Sequence, residues 1–475
     1  MSFVDAAAEA DLTEFDGVPG EGQRLVLREW TPCPIDLTLD QAEALRDVGS
    51  GGQSWLRVER ARSRAKGDNQ SYKVTPRHFV GSFSAAGFTV IVRPKIKPEN
   101  LFLLLEVGLS PEAWQAEAID YAESNELLPT LVSFFARTAE TTLARGLFHH
   151  YRHEEDDLLA LRGRSDFVRQ FRRGGVLVPM ACSWDDFTAD VDENRCLTAA
   201  IRLALRVPDV PPDDRRRLRR LLAALDGVAE PTALVALGCI DRLDRSGYTR
   251  LNEHYRPALR LARLILANYT LQDQHGDTAA SAFMVDMNQL FEDFVTARLQ
   301  RALRSRLHVR AQTQPYLDDK RRVRIQPDLA FEHQGRNVGC ADLKYKLADS
   351  DTDAVGPLAR HGDYYQLLAY TTALNLSEGT LIYCADVNRN EIGDPDGSAG
   401  LDRMTDAAGE DSGHDGAVAT LAKSTITVQH VGTKLHAVAI DLSGTPSDIE
   451  TQITALADHL KRSTEGTAAS EPASG

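Results

Sequence analysis

Apolar residues along this chain change their spacing twice. From about residue 22 to 97 they alternate with polar ones in short runs: "RLVLREW", "SWLRVERA", "SYKVTPRHFV" and "GFTVIVRPKI". A period of two predicts strands, and a basic, Gly-containing tip, "RSRAKGDN", would join two of them as a hairpin. Between about 100 and 275 the spacing becomes three and four. "ENLFLLLEVGL", "ELLPTLVSFFARTAETTLARGLF" and "RPALRLARLILANYTL" predict amphipathic helices, and "PPDDRRRLRRLLAAL" places Pro and Asp where a helix start favours them. After 280 the two periods mix. A helix, "MVDMNQLFEDFVTARLQRALRSR", is followed by a hairpin, a helix from near Gly362, the strands "GTLIYCADV", "STITVQHV" and "KLHAVAIDL", and a closing helix to about 462.

The expected organisation is therefore multidomain α/β. It comprises a disordered N-terminus (1–20), a β-rich domain (21–100), a helical middle region (101–275), an α/β domain (276–462) and a disordered tail (463–475). The stretch 388–416 is rich in Gly and Asp and poor in apolar residues, so it reads as a disordered acidic loop.

Charge narrows the possible partners. The 475 residues carry a net charge of −15, so the surface as a whole would repel DNA, and any nucleic-acid role must rest on local basic patches. Arg215, Arg216, Arg217, Arg219 and Arg220 form one such cluster, although a solvated helix face is the plainer reading. Six scattered cysteines (Cys33, Cys182, Cys196, Cys239, Cys340 and Cys384) form no CxxC pair, which suits a reducing cytoplasm. The N-terminus is acidic without an apolar core, and no apolar run of about 18 residues occurs, so neither a signal peptide nor a membrane span is expected.

Candidate chemistry concentrates in "RIQPDLAFEHQGRNVGCADLKYKL", residues 324–347. In its first half Val323, Ile325, Pro327, Leu329 and Phe331 share one parity, while Arg322, Arg324, Gln326, Asp328 and Glu332 share the other. That is a half-buried strand with Asp328 on its polar face. In the second half Asp342, Lys344 and Lys346 alternate with Ala341, Leu343, Tyr345 and Leu347. Closing the hairpin on Gly335, the residue suited to positive φ, brings position 328 opposite position 342. Two carboxylates about 4 Å apart repel by roughly 4 kcal/mol at an effective dielectric near 20. Either one is protonated or a cation lies between them, and hard oxygen ligands favour Mg²⁺ or Mn²⁺. Lys344 adds a positive charge able to meet a phosphate.

Two neighbouring helices offer further candidates. Glu292 lies at the edge of the apolar stripe Met287, Leu290, Phe291, Phe294, Val295 and Leu299, where it could reach inward as a third acidic metal ligand. Gln366 and Tyr370 are four apart in "GDYYQLLAYTTAL" and share a helix face. "HHYRHEEDD" could bind zinc but lacks a repeated ligand spacing, so a polar helix end or loop is expected there.

These residues resemble the PD-(D/E)xK nuclease fold, with Pro327-Asp328 and Asp342-x-Lys344 filling the motif, and "YYQLLAY" resembles its Q-x-x-x-Y element. "VIVRPKIKPENLFLLL", "LRGRSDF", "CSWDDFTADVDENRCL" and "NQLFEDFV" further resemble the McrC family over about 80–390. The resemblance implies a C-terminal restriction-endonuclease-like domain with Asp328, Asp342, Lys344, Glu292, Gln366 and Tyr370 at its site. It also implies a Mg²⁺-dependent (or Mn²⁺-dependent) subunit that cuts double-stranded, modified DNA. Such a subunit docks on a McrB-like AAA+ GTPase through its N-terminal region and stimulates GTP hydrolysis. Two other readings stay open: a stand-alone or helicase-linked exonuclease of the Q-x-x-x-Y kind, and a non-catalytic assembly factor for an NTPase ring.

Overall fold

Segments adjacent in sequence part company in the fold. The computed structural model describes residues 18–50, 53–61, 70–105, 127–172, 174, 176, 178–207, 210–273, 283–345, 361–385 and 422–469. One unit holds residues 1–93 with 108–285, and a second holds 94–107 with 286–475. The regions expected as a β-rich domain and a helical middle thus fall largely into one unit, while the segment around "KPENLFLLL" belongs with the C-terminal residues.

In the first unit, strands Arg24–Arg28, Phe88–Arg93, Phe79–Ala85 and Phe283–Asp286 lie side by side in that order. A second sheet sets Gln70–Pro76 between Cys33–Leu37 and Leu56–Arg60. Their alternating residues meet in one core that includes Leu25, Ile35, Trp55, Phe83, Val90 and Met284. The tip expected between two of these strands lies outside the described residues, as does the stretch 388–416.

The middle region is less purely helical than its spacing predicts. Residues His150–Leu158 form a strand paired antiparallel with Met180–Thr188, where a polar helix end or loop was expected. Most of this strand is exposed, so no apolar alternation marks it. Charged cross-strand contacts support it instead, His153 with Asp185 (2.9 Å) among them. The arginines of helix Pro212–Ala224 are largely taken up internally: Arg215 donates to the carbonyls of Leu205 and Val207, Arg216 pairs with Asp213, and Arg217 pairs with Glu140 and Asp214.

The second unit carries the candidate chemistry. Its elements are α1 (Pro98–Leu105), α2 (Met287–Leu303), β1 (His308–Ala311), β2 (Leu329–His333), β3 (Arg336–Lys344), α3 (His361–Ala373), β4 (Glu378–Ala385), β5 (Ala422–Thr427), β6 (Lys434–Asp441) and α4 (Pro446–Ala469). The strands form one mixed sheet in the order β1-β2-β3-β4-β6-β5. β3, β4 and β6 run parallel, and the outer pairings are antiparallel. Tyr364, Leu367 and Tyr370 of α3 pack on one face against Cys340, Leu381, Tyr383 and Ala437. Residues of the other parity meet α2 and α4, as Tyr345 meets Phe291 and His436 meets His459.

Helix α1 is tied to this unit by Asn100, whose buried amide donates to the carbonyls of Leu442 (2.6 Å) and Gly444 (2.8 Å). Lys95 stacks its ammonium 4.2 Å from the Tyr345 ring centroid. The tail expected to be disordered from 463 is helical to Ala469. Ser463 bonds Glu378 and Thr464 is buried, contacts that small polar residues do not advertise in sequence. Among the described residues no helix is long and apolar enough to cross a membrane.

Candidate active site

The turn between β2 and β3 uses two residues, Gln334 and Gly335, with φ of 50° and 79°. Two consecutive positive φ values match the twist of the flanking strands. Such a turn pairs His333 with Arg336 and Glu332 with Asn337. Continued unbroken, that register would face Asp328 with Ala341. A bulge at Val338 adds one residue to β3, after which Phe331 faces Gly339, Ala330 faces Cys340 and Leu329 faces Ala341. The next positions along are Asp328 and Asp342. The pairing expected from Gly335 is thus reached by a turn and a bulge together.

Asp342 is 1% exposed, and its Oδ2 lies 2.6 Å from Lys344 Nζ. The contact is ionic; Oδ2 accepts no hydrogen bond of proper geometry. Asp328 Oδ2 accepts the Leu343 N–H at 2.7 Å. Burial raises the pKa of Asp342 to about 7, the Lys344 ammonium opposing and the Asp328 carboxylate reinforcing the shift. Asp328 is raised as well, by burial first, against the Leu343 N–H and with Glu292 adding repulsion. The two carboxyls lie within hydrogen-bonding reach of each other, so the pair takes up a proton more readily than ordinary carboxylates.

Glu292, on α2, is half-buried and also raised, by burial ahead of the Asp293 and Asp342 charges. Gln312 links it to the pair: its Nε2 donates to Glu292 Oε1 at 3.1 Å, and its backbone N–H donates to the Asp328 carbonyl at 2.8 Å. Gln312 does so with φ of 48°, a strained conformation for a residue with a side chain. Nothing in the local pattern singled it out.

Gln366 and Tyr370 are brought together as their spacing predicts, Gln366 Nε2 donating to Tyr370 Oη at 2.6 Å. Tyr370 is within electrostatic reach of Asp342, Lys344 and Asp328. Two further residues went unnoticed in the sequence. Tyr383 lies in register beside Lys344 across the parallel β3–β4 pairing. Its hydroxyl donates to the buried Asp363 carboxylate at 2.8 Å, whose charge helps keep Lys344 protonated.

Three carboxylates therefore surround one ammonium. Among the described residues no three His, Cys, Asp or Glu side chains close into a preformed metal cage. Asp328 and Asp342 still suit a hard divalent cation. They present two buried carboxyls whose mutual repulsion a cation would relieve, and Mg²⁺ commonly binds through one or two carboxylates while keeping its waters.

A family model described as "McrBC 5-methylcytosine restriction system component" matches residues 74–384. The chain belongs to the McrBC family. The matched part of this McrBC chain contains Glu292, Asp328, Asp342, Lys344, Gln366 and Tyr370. Among solved structures it is similar to a half-complex from a tetradecameric assembly of Thermococcus gammatolerans McrB AAA+ hexamers with bound McrC. That match has 17% identity and a TM-score of 0.45, covering 91% of this chain and 99% of the other. The cryo-EM structure of the Thermococcus gammatolerans McrBC complex is also similar, at 20% identity and a TM-score of 0.37, over 59% of this chain and 88% of the other. No curated protein matches.

Proposed function

We propose that this McrBC-family chain is the metal-dependent DNA endonuclease subunit of a modification-dependent restriction system, with a PD-(D/E)xK-type site at Asp328, Asp342 and Lys344. The observation that carries the reading is the closeness of the Asp328 and Asp342 carboxyls, one position beyond the last β2–β3 pair, with Lys344 against Asp342. Asp328 and Asp342 would hold Mg²⁺ or Mn²⁺, with Glu292 close by through Gln312. Such an ion would supply Lewis acidity toward a phosphodiester. Lys344 places a permanent positive charge where a phosphate gains negative charge. Asp363, held by the Tyr383 hydroxyl, adds negative charge within electrostatic reach of that lysine, and the Gln366–Tyr370 pair lies within electrostatic reach of the same residues.

Family membership supports an AAA+ McrB-like GTPase as the partner that delivers DNA, which an acidic chain of net charge −15 would need. The test is cleavage of modified duplex DNA with Mg²⁺, GTP and the partner. The Asp342→Ala chain should bind the partner and stimulate its hydrolysis yet leave DNA intact. Cleavage at the wild-type rate by that chain would exclude the reading.

A further inference from the structure

The acidic balance of the chain reverses locally in the second unit. Between Asp293 and Asp318 there is no acidic residue, while five arginines and a histidine occur: Arg298, Arg301, Arg304, Arg306, Arg310 and His308. Arg298 and Arg310 pair with Glu450 (3.0 Å) and Glu332 (2.6 Å), and Arg306 too has an interaction within the chain. Arg301, Arg304, Arg306 and His308 are exposed. The C-terminal end of α2 and the start of β1 leave a groove of about 430 Å³ beside this edge strand, lined by Arg304, Arg306, His308, Gln300, Ser305 and one acidic residue, Glu332, whose carboxylate is paired with Arg310. Cations exposed along a concave edge suit a polyanion with regularly spaced charges. The same helix runs from this groove to the carboxylates: Glu292 lies twelve residues before Arg304, about 18 Å at 1.5 Å per residue.

We propose that this groove binds the sugar–phosphate backbone of the duplex DNA being cut, with Arg304, Arg306 and His308 as positioning residues. The proposal rests on the nuclease reading for its substrate. At about 3.4 Å per nucleotide along a strand, phosphates at the groove would be about five nucleotides from the scissile one. Contacts to phosphate fix the position of the protein on the duplex without reading its sequence.

The experiment measures binding of a labelled 30-base-pair duplex to the full chain without metal, across salt concentrations beginning near 20 mM. The triple variant Arg304→Gln, Arg306→Gln, His308→Gln should bind about tenfold more weakly. It should also lower the slope of log affinity against log salt by about two, at roughly 0.9 for each phosphate no longer neutralised. The control Arg219→Gln, Arg220→Gln, at two exposed arginines of helix Pro212–Ala224, should match the wild type. Unchanged affinity and slope in the triple variant, an equal loss in the control, or no duplex binding by the wild type at 20 mM salt would each overturn the proposal. An unchanged Mn²⁺-induced rise in thermal midpoint would show that the triple variant keeps its carboxylate site. Because no cleavage is read, failure of the nuclease reading would leave this binding result standing, and the reverse also holds.

Discussion

Asp190 and Asp342 are both largely removed from solvent, and their surroundings treat their charge in opposite ways. Asp190 accepts two bonds from Arg195 (2.7 and 2.6 Å), one from Arg152 (2.9 Å) and one from the Ala229 N–H (2.9 Å). These donors hold its carboxyl far below the usual carboxylate range, with Arg195 the largest cause. Asp342 has a single ammonium beside it, faces another carboxylate, and is pushed upward by burial. A compensated carboxylate is part of the scaffold. An under-compensated one leaves room for a cation that the chain does not itself provide.

The comparison breaks most visibly in activity. Asp328→Asn should lower Mg²⁺-dependent cleavage by the partner-bound complex on the order of a thousandfold, whereas Asp190→Asn should leave the rate per folded molecule unchanged. Stability should respond with opposite signs. Asp190→Asn strands two guanidinium groups and should cost about 3 kcal/mol. Asp342→Asn leaves Lys344 facing Asp328 and Glu292 and should raise metal-free stability by about 1 kcal/mol, a few degrees in thermal midpoint. In the wild type, divalent metal at a hundred times its dissociation constant should add about 2.7 kcal/mol, read as a thermal shift that Asp342→Asn abolishes.

Proton linkage sharpens the contrast further. A carboxyl raised above its unfolded value destabilises the fold above that value, fully so once pH exceeds the folded one. The advantage of Asp342→Asn over wild type should therefore be larger at pH 8 than at pH 5, shrinking as pH falls through about 7. For Asp190, lowered in the fold, the stabilisation is present above its unfolded value and disappears only in strong acid, so Asp190→Asn should show no such change between pH 8 and 5. The smallest effect is expected in the turn. Gly335→Ala, at φ of 79° with no atom near its missing Cβ, should cost about 1 kcal/mol by denaturant titration.

Much of the second unit could be read from local pattern, because period and parity are local properties. Strands β3 to β6, the helix bearing Glu292 and the Gln366–Tyr370 pair appear near their expected positions, whereas the strand expected from Arg322 begins only at Leu329 and leaves Val323 exposed. The facing of Asp328 and Asp342 was legible as an outcome but not as a mechanism. Val338, Gly339, Cys340 and Ala341 are small or apolar in succession, so no alternation reveals the bulge that resets the register. Tyr383 was invisible because its place beside Lys344 depends on a parallel strand pairing. Helix α1 was misplaced for a related reason: Asn100 bonds the carbonyls of Leu442 and Gly444, more than three hundred residues away. Strand His150–Leu158 was hidden by exposure, since a strand wet over most of its length needs no apolar face.

The central claim is that Asp328 and Asp342 form the cation site, and metal binding tests it without cleavage or partner. Titration of Mn²⁺ into the full chain at pH 8, read by the loss of its free electron-spin resonance signal, should show saturable binding in the wild type and in Asp190→Asn. Binding should be lost in both Asp328→Asn and Asp342→Asn. Equal Mn²⁺ uptake by the wild type and by Asp342→Asn would contradict the account.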